Sequence, residues 1–423
     1  MKLHMSQTAE PAPIIRSPFA KLRALLDYPH GAAQSTQTDT RPIIDLAIGN
    51  PQHQPPQFVL DELTRHLASF SQYPPPDGLP IWRTAIRDWL QRRFSISLAL
   101  LEKDYQILPV NGTREGLFLI PQIDRYKSPH KTHIAMPNPF YQLYAAAALA
   151  AGYQPLYLNA TDETGFLPDL DSLTKAQLDS LHSFFLCSPT NPQGVIVETH
   201  YLDRLLDLAH RHDFLLVIDE CYIDIYDQAY TENPPISALQ CAAKRKEGAA
   251  NLIIFQSLSK RSNLPGLRSG FCAGGQDIMH AFLQLRLLVA PQTPIAIQRA
   301  AALAWADDAH VGDNRALYQA KMAQAEIILD GHFDFYRPQA GFFLWLKTGN
   351  GEMAAQKLWQ EAGIRVLPGA YLAQTSTQTN TQANPQTNSG QNPAQAYIRV
   401  ALVAPEAETI AALSQMRDIL KRN

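Results

Sequence analysis

The stretch from Tyr201 to Asp219 constrains the fold of this chain more than any other. "YLDRLLDLAHRH" sets Leu202, Leu205, Leu206 and Ala209 at i, i+3, i+4 and i+7, the apolar stripe of an amphipathic helix. It runs into "FLLVID" (Phe214 to Asp219), a continuous apolar run that ends in an acid. A strand apolar at every position is buried on both faces, as in parallel sheets sandwiched between helices. The alternation recurs along the chain. Tyr105 to Val110 precedes "NGT" and the helical "REGLFLI", and Thr132 to Met136 precedes "PNPF" and an alanine-rich helix. Phe184 to Cys187 precedes "SPTNPQG"; Leu252 to Phe255 and Gly270 to Ala273 complete the set. This pattern predicts an α/β fold with a mainly parallel sheet covered by helices. Ligands of such sheets bind beyond the carboxyl ends of the strands. "NGT", "SPTN", "DECY" and "SLSK" all fall there.

At 423 residues the chain is too long for one small core and suits two domains, or one large domain with an appendage. Hydrophobic residues make up 46% and charged residues 18%, ordinary for a globular protein, and the net charge of -3 offers no case for nucleic acid or anionic membrane as a partner. Met1 to Arg16 lacks the apolar core of a signal peptide. Tyr141 to Ala151 is apolar but far shorter than the ~18 residues of a membrane span. Four cysteines without CxxC spacing read as reduced thiols of a cytoplasmic protein. His210 and His212 read as part of a solvated helix end, with no metal site expected. Gly31 to Thr40 reads as a polar linker, and the Gln/Thr/Asn-rich tract 374–395 as a mobile insert within a domain, because strand-like sequence flanks it.

The strand-end residues suggest one chemistry when taken together. Lys260 could form a Schiff base with an aldehyde if burial and neighbouring cations kept part of it neutral. Asp219 could hold a protonated pyridine nitrogen, and Tyr222 and Asn191 could hydrogen-bond a phenolic ring oxygen. Tyr141 offers an aromatic face for stacking on a planar ring. Ser257, Ser259 and Arg268 suit a phosphate dianion, as does the turn Asn111-Gly112-Thr113 opening a helix. Pyridoxal 5'-phosphate requires such a set. Singly, each residue has a plainer explanation: a surface lysine, a helix cap, core aromatics, turn residues. Arg286 could be a substrate-side cation, although an arginine on a helix face is the simpler reading.

"SLSKRSNLPGLRSGF", "SPTNPQG" and "DECY" resemble the class I and II aminotransferases, fold-type I enzymes that use pyridoxal phosphate. The resemblance runs from "SPFAKLRALL" to "AYIRVALVAP". It implies that Lys260 is the cofactor-bearing lysine and Arg268 the phosphate arginine. It further implies that Asp219 and Tyr222 hold the pyridine nitrogen and ring oxygen, with the asparagine of "NP-x-G" at Asn191. Arg399 matches the arginine that clamps the substrate α-carboxylate, and Gly49 and Asn50 of "IGNP" fall at the substrate pocket. Tyr73 matches a tyrosine that reaches the partner subunit's phosphate, implying a homodimer with shared active sites.

Within the family, "NGTREGLF", "PNPFYQLYAAAALAAG" and "NRALYQAKM" are most similar to the N-succinyldiaminopimelate subgroup of lysine biosynthesis, with 2-oxoglutarate as acceptor. Pro76, Gln193 and Leu287-Leu288-Val289 depart from that pattern. Aminotransferases for aspartate, aromatic or other diaminopimelate-like donors and carbon–sulfur lyases are the alternatives. The implied domains are a large cofactor domain (51–304) and a smaller α+β domain (305–423) joined by residues 1–50.

Overall fold

The computed structural model describes residues 17–26, 42–103, 105–123, 129–375 and 392–422. Its centre is a seven-stranded sheet in the order Tyr105–Val110, Gly270–Gly275, Leu252–Ser257, Leu215–Asp219, Leu181–Cys187, His133–Asn138, Gln154–Asn159. The last five strands pair in parallel, while Gly270–Gly275 runs antiparallel to both neighbours. The predicted mainly parallel sheet is present. The edge strand Gln154–Asn159 was not foreseen, because its mixed burial lacks an apolar run. The two central strands Leu215–Asp219 and Leu252–Ser257 are buried at every position, as their unbroken apolar runs require. Helix Thr199–His212 buries Leu202, Leu205, Leu206 and Ala209 against one face. The other face is closed by Tyr144, Phe185, Phe255 and Phe282.

A second, three-stranded sheet orders Leu367–Pro368, Tyr397–Ala401 and Phe343–Lys347, all antiparallel. Side chains alternate across a strand. Ile398 and Val400 therefore enter a separate core with Leu344, Leu346, Leu358, Leu413 and Met416, while Arg399 faces the opposite side. Ile44–Asp45 pairs with Ile364–Arg365, tying the N-terminal segment to this second layer. Among the described residues no helix is long and apolar enough to cross a membrane.

Three sequence expectations need correction. The ends of the tract 374–395 are hydrogen-bonded into the fold, which a fully loose insert would not be. The Gln374 N–H and carbonyl bond the Asn138 side chain at 3.0 and 2.9 Å, Asn392 Nδ2 donates to the Ala370 carbonyl at 3.1 Å, and Ala394 is fully buried. Composition averaged over the tract hid these anchors. Residues 376–391, like the linker Gly31 to Thr40 and the stretch Met1 to Arg16, lie outside the described residues. His212 is not solvated: its ring bonds Asp179 at 2.7 Å. Arg286 sits on neither a substrate face nor an open helix face. It is fully buried, with Nε 3.0 Å from Glu115 Oε1.

Candidate active site

Strand register gathers the chemistry. Cys187 pairs with Asp219, and Asp219 with Phe255, so two adjacent strands end in line and the third runs two residues further, to Ser257. The segments that follow carry Asn191, Tyr222 and Lys260 to one edge, around a cavity of about 440 Å³. Ser257 ends its strand and caps the short helix Leu258–Arg261, its Oγ accepting from the Ser259 N–H at 3.0 Å and donating to Ser259 Oγ at 2.8 Å. That turn throws Lys260 across the cavity, where Nζ donates to the Gly49 carbonyl. Gly49 lies so close to Phe343 that a Cβ there would sit 2.5 Å from the ring, hence the glycine.

Burial lowers Lys260 from its ordinary range to about 8, and the Arg399 and Arg268 guanidiniums push the same way, partly opposed by Cys221 and Asp219. Such an amine has a usable neutral fraction near neutral pH. Asp219 is raised chiefly by burial, against bonds from the Tyr144 hydroxyl (3.1 Å) and the Cys221 N–H (3.3 Å). The Tyr222 hydroxyl is also raised by burial, and its ring meets Phe342 and Phe343 edge-on. Arg399 donates through Nη2 to the Ala47 carbonyl (2.9 Å) and through Nη1 to Asn191 Oδ1 (3.3 Å). Its Nε is buried without a partner, and the guanidinium lies 4.2 Å over the Phe343 ring. Burial brings it down to about 10.

Lys260, Asp219, Tyr222, Asn191, Ser257, Ser259, Arg268, Thr113, Tyr141, Gly49 and Arg399 all line this cavity. Asn111, Gly112 and Asn50 do not. Asn111 and Gly112 instead build the wall behind Arg268. The Asn111 carbonyl accepts from Arg268 Nη2 at 3.2 Å, and a Cβ on Gly112, whose φ is +75°, would collide with that nitrogen. Only glycine permits this approach. Asn50 is exposed, held by its N–H to the Ile48 carbonyl at 2.8 Å. Tyr73 is fully exposed and outside the cavity.

Sequence reasoning missed Tyr144, Cys221 and Arg114. Tyr144 stands three residues beyond Tyr141, which caps the helix Gln142–Ala150 that carries it; their rings are 5.7 Å apart and T-shaped. The Cys221 thiol lies 3.2 Å from the Thr113 hydroxyl. Arg114 Nε donates to the Tyr141 hydroxyl at 3.1 Å.

A chain with this sheet, this second layer and a lysine, an aspartate and three arginines around one cavity has the architecture of a cofactor-dependent group-transfer enzyme. Residues 41–392 match the family model "Aminotransferase class I and II". The chain belongs to that family, is a transaminase of fold type I, and depends on pyridoxal phosphate. An aminotransferase from Neisseria meningitidis Z2491 is similar over 96% of this chain and 97% of its own, with a TM-score of 0.84 and 36% identity. An LL-diaminopimelate aminotransferase of Desulforudis audaxviator is 26% identical over 90% of this chain and 91% of its own. A probable N-succinyldiaminopimelate aminotransferase from Thermus thermophilus shares the fold, with a TM-score of 0.77 and 20% identity over 95% and 100% of the two chains.

The residues present fit the cofactor. Asp219 is a deeply buried acid bonded to the Tyr144 hydroxyl and to Cys221 and, among the described residues, to no cation, which suits a pyridinium N–H. Two hydroxyls and Arg268 stand together for a phosphate, and the desolvated Lys260 amine stands within the same cavity.

Proposed function

We propose that this aminotransferase acts on N-succinyl-L,L-diaminopimelate with 2-oxoglutarate as acceptor, in the diaminopimelate route to lysine. The observation that carries an acidic donor is the cavity's charge inventory. Among the described residues its lining holds Lys260, Arg268, Arg399 and Arg114 against one carboxylate, Asp219. Phosphate would occupy Arg268, the substrate α-carboxylate Arg399, and the cofactor aldehyde Lys260. Arg114 is left over, with no carboxylate within ion-pair distance among the described residues. A donor with a second, distal carboxylate would use it, while Phe19, Ile48 and Leu372 offer apolar lining for a long arm. An unmodified LL-diaminopimelate donor is the second reading, favoured by the similarity to enzymes that bear that name.

Bound pyridoxal phosphate supplies an aldehyde that condenses with amines and a ring that takes up the electrons of the Cα–H bond. The protein's groups do the rest. Arg399, steadied by Asn191 and Ala47, would grip the α-carboxylate and so aim the Cα–H bond at Lys260. Lys260 Nζ would take the Cα proton as general base. Asp219 would keep the ring nitrogen protonated, Tyr222 and Asn191 would bond the ring oxygen, and Tyr141 would cover the ring face. Ser257, Ser259, Arg268 and Thr113 would hold the phosphate, with the Asn111-Gly112 turn backing Arg268. Glu115 fixes that turn, with Oε2 accepting from the Asn111 N–H at 2.7 Å.

The chain would work as a homodimer, with Tyr73 of each subunit reaching the other's phosphate. The exposed Leu67, Phe70, Tyr73, Leu287, Leu288 and Val289 support such a contact. A large cofactor domain (51–304) and a smaller domain (305–423 with 1–50) would close on the donor.

A single-turnover absorbance titration tests the substrate. The succinyl donor should convert the cofactor to its amine form far more efficiently than aspartate, phenylalanine or unmodified LL-diaminopimelate. Conversion only by another donor overturns the reading; pyruvate and ammonia released from cystathionine would make the protein a lyase. Arg114→Gln should raise KM for the succinyl donor roughly 10- to 100-fold, the worth of a hydrogen bond to a charge, with kcat little changed.

A further inference from the structure

Lys260 and Arg399 come from different layers, and a buried chain of polar side chains ties their backbones together. Asn314, on helix Ala309–Leu329, is 4% exposed. Its Nδ2 donates to the Lys260 carbonyl at 3.0 Å and the Arg261 carbonyl at 3.1 Å. Its Oδ1 accepts from Asn263 Nδ2 at 2.7 Å and from His53 Nδ1 at 2.9 Å. All four hydrogen-bonding capacities of the amide are used. Two carbonyls can only accept, so the amide's orientation is fixed, and His53 must carry its proton on Nδ1. That leaves His53 Nε2 as an acceptor, and Lys321 Nζ stands 2.8 Å away. The two other Lys321 protons go to the carbonyls of Leu402 (3.2 Å) and Ala404 (2.6 Å), immediately beyond the strand that carries Arg399.

The chain of bonds thus runs from the Lys260 backbone through Asn314, His53 and Lys321 to the end of the Arg399 strand. His53 also anchors the segment whose Ala47 and Gly49 carbonyls receive Arg399 and Lys260. The His53 ring packs on Tyr318 (4.5 Å), Tyr318 stacks on Phe342 (5.0 Å), and Phe342 lies 5.5 Å beneath Lys260 Nζ. Neither His53 nor Lys321 lines the cavity.

We infer that His53, Asn314 and Lys321 are positioning residues, which hold the Lys260 turn, the Ala47–Gly49 segment and the Arg399 strand in one fixed relation. The inference rests on the roles proposed for Lys260 and Arg399. A complete hydrogen-bond set with a single allowed tautomer specifies one geometry and resists alternatives. Without it the Lys260 turn is free to shift its amine toward water, which favours the charged form.

The test uses His53→Phe and Asn314→Leu, with Tyr201→Phe as a control that removes a hydrogen bond to the Pro168 carbonyl away from the cavity. Lys260 ionisation is read in cofactor-free protein from the pH dependence of its labelling by an amine reagent, mapped by peptide mass spectrometry. Both network variants should move that midpoint upward by about one pH unit and lower kcat roughly 10-fold or more, with KM changed less. The control should move neither. If the melting temperature falls but the Lys260 midpoint and kcat match the parent, the network only stabilises the fold and the inference fails. His53→Leu gives the same reading if the phenylalanine variant does not fold. Lys260→Ala tests the underlying assignment separately: a variant with normal turnover would remove the proposed role of Lys260, whatever the network does.

Discussion

Two lysines of this protein are lowered to the same range, chiefly by burial, and differ in almost everything else. Burial brings Lys260 and Lys321 each to about 8. Lys321 spends its three protons on His53, Leu402 and Ala404. Among the described residues Lys260 Nζ has one acceptor, the Gly49 carbonyl, and it faces an open cavity with two arginines nearby. Adjacent acids repeat the contrast. Glu220 accepts from the Ser237 hydroxyl at 2.9 Å, the Ala238 N–H at 2.8 Å and Gln256 Nε2 at 2.6 Å, inside a closed core. Asp219, one residue earlier, bonds the Tyr144 hydroxyl and both the side chain and the N–H of Cys221, but it borders the open cavity. Burial raises both acids, Glu220 to about 8. A perturbed pKa therefore does not separate the site from the scaffold here. The separation lies in whether the protein completes each group's hydrogen bonds or leaves capacity for a ligand.

Substitutions can break this contrast. Lys260→Ala should cost the most, a loss of roughly 10³-fold or more in turnover, since it removes both the attachment point and the base. Normal activity in that variant would refute the assignment. Asp219→Asn should follow, with kcat down about 100-fold and thermal stability nearly unchanged, because the fold uses little of that carboxylate. Glu220→Gln should do the reverse, keeping activity within about threefold while altering the pH dependence of stability. The sign follows from linkage. Folded Glu220 keeps its proton between its ordinary 4.5 and about 8, where the unfolded chain has released it. Stability of the parent therefore falls as pH rises through that window, and the Gln variant should show a flatter decline in melting temperature. Equal activity losses at Asp219 and Glu220 would erase the distinction between them.

Much of the site was legible because its residues lie just past strand ends. Asp219, Tyr222, Asn191 and Lys260 needed only the apolar runs that precede them and parallel pairing to bring those ends together. Arg399 was placed by resemblance, and the alternation of Ile398 and Val400 into the second core explains its direction. Other features left no local trace. Arg114 reads as one more helix-face arginine until the charges around the cavity are compared. The bond between His53 and Asn314 spans 261 positions, beyond any spacing rule. Asn50 sits beside Gly49 in the chain, but only Gly49 reaches the cavity, a matter of backbone direction rather than residue type. The anchors Gln374 and Ala394 were lost in the composition of their tract.

The comparison of the two lysines also supplies the most direct measurement. Borohydride reduction of the cofactor-loaded protein, followed by proteolysis and peptide mass mapping, reports which amine holds the cofactor. Its covalent mass on the peptide containing Lys260, with Lys321 unmodified, is the result expected if an incompletely bonded, desolvated amine marks the site. The cofactor's mass on Lys321 or on another lysine would contradict that account.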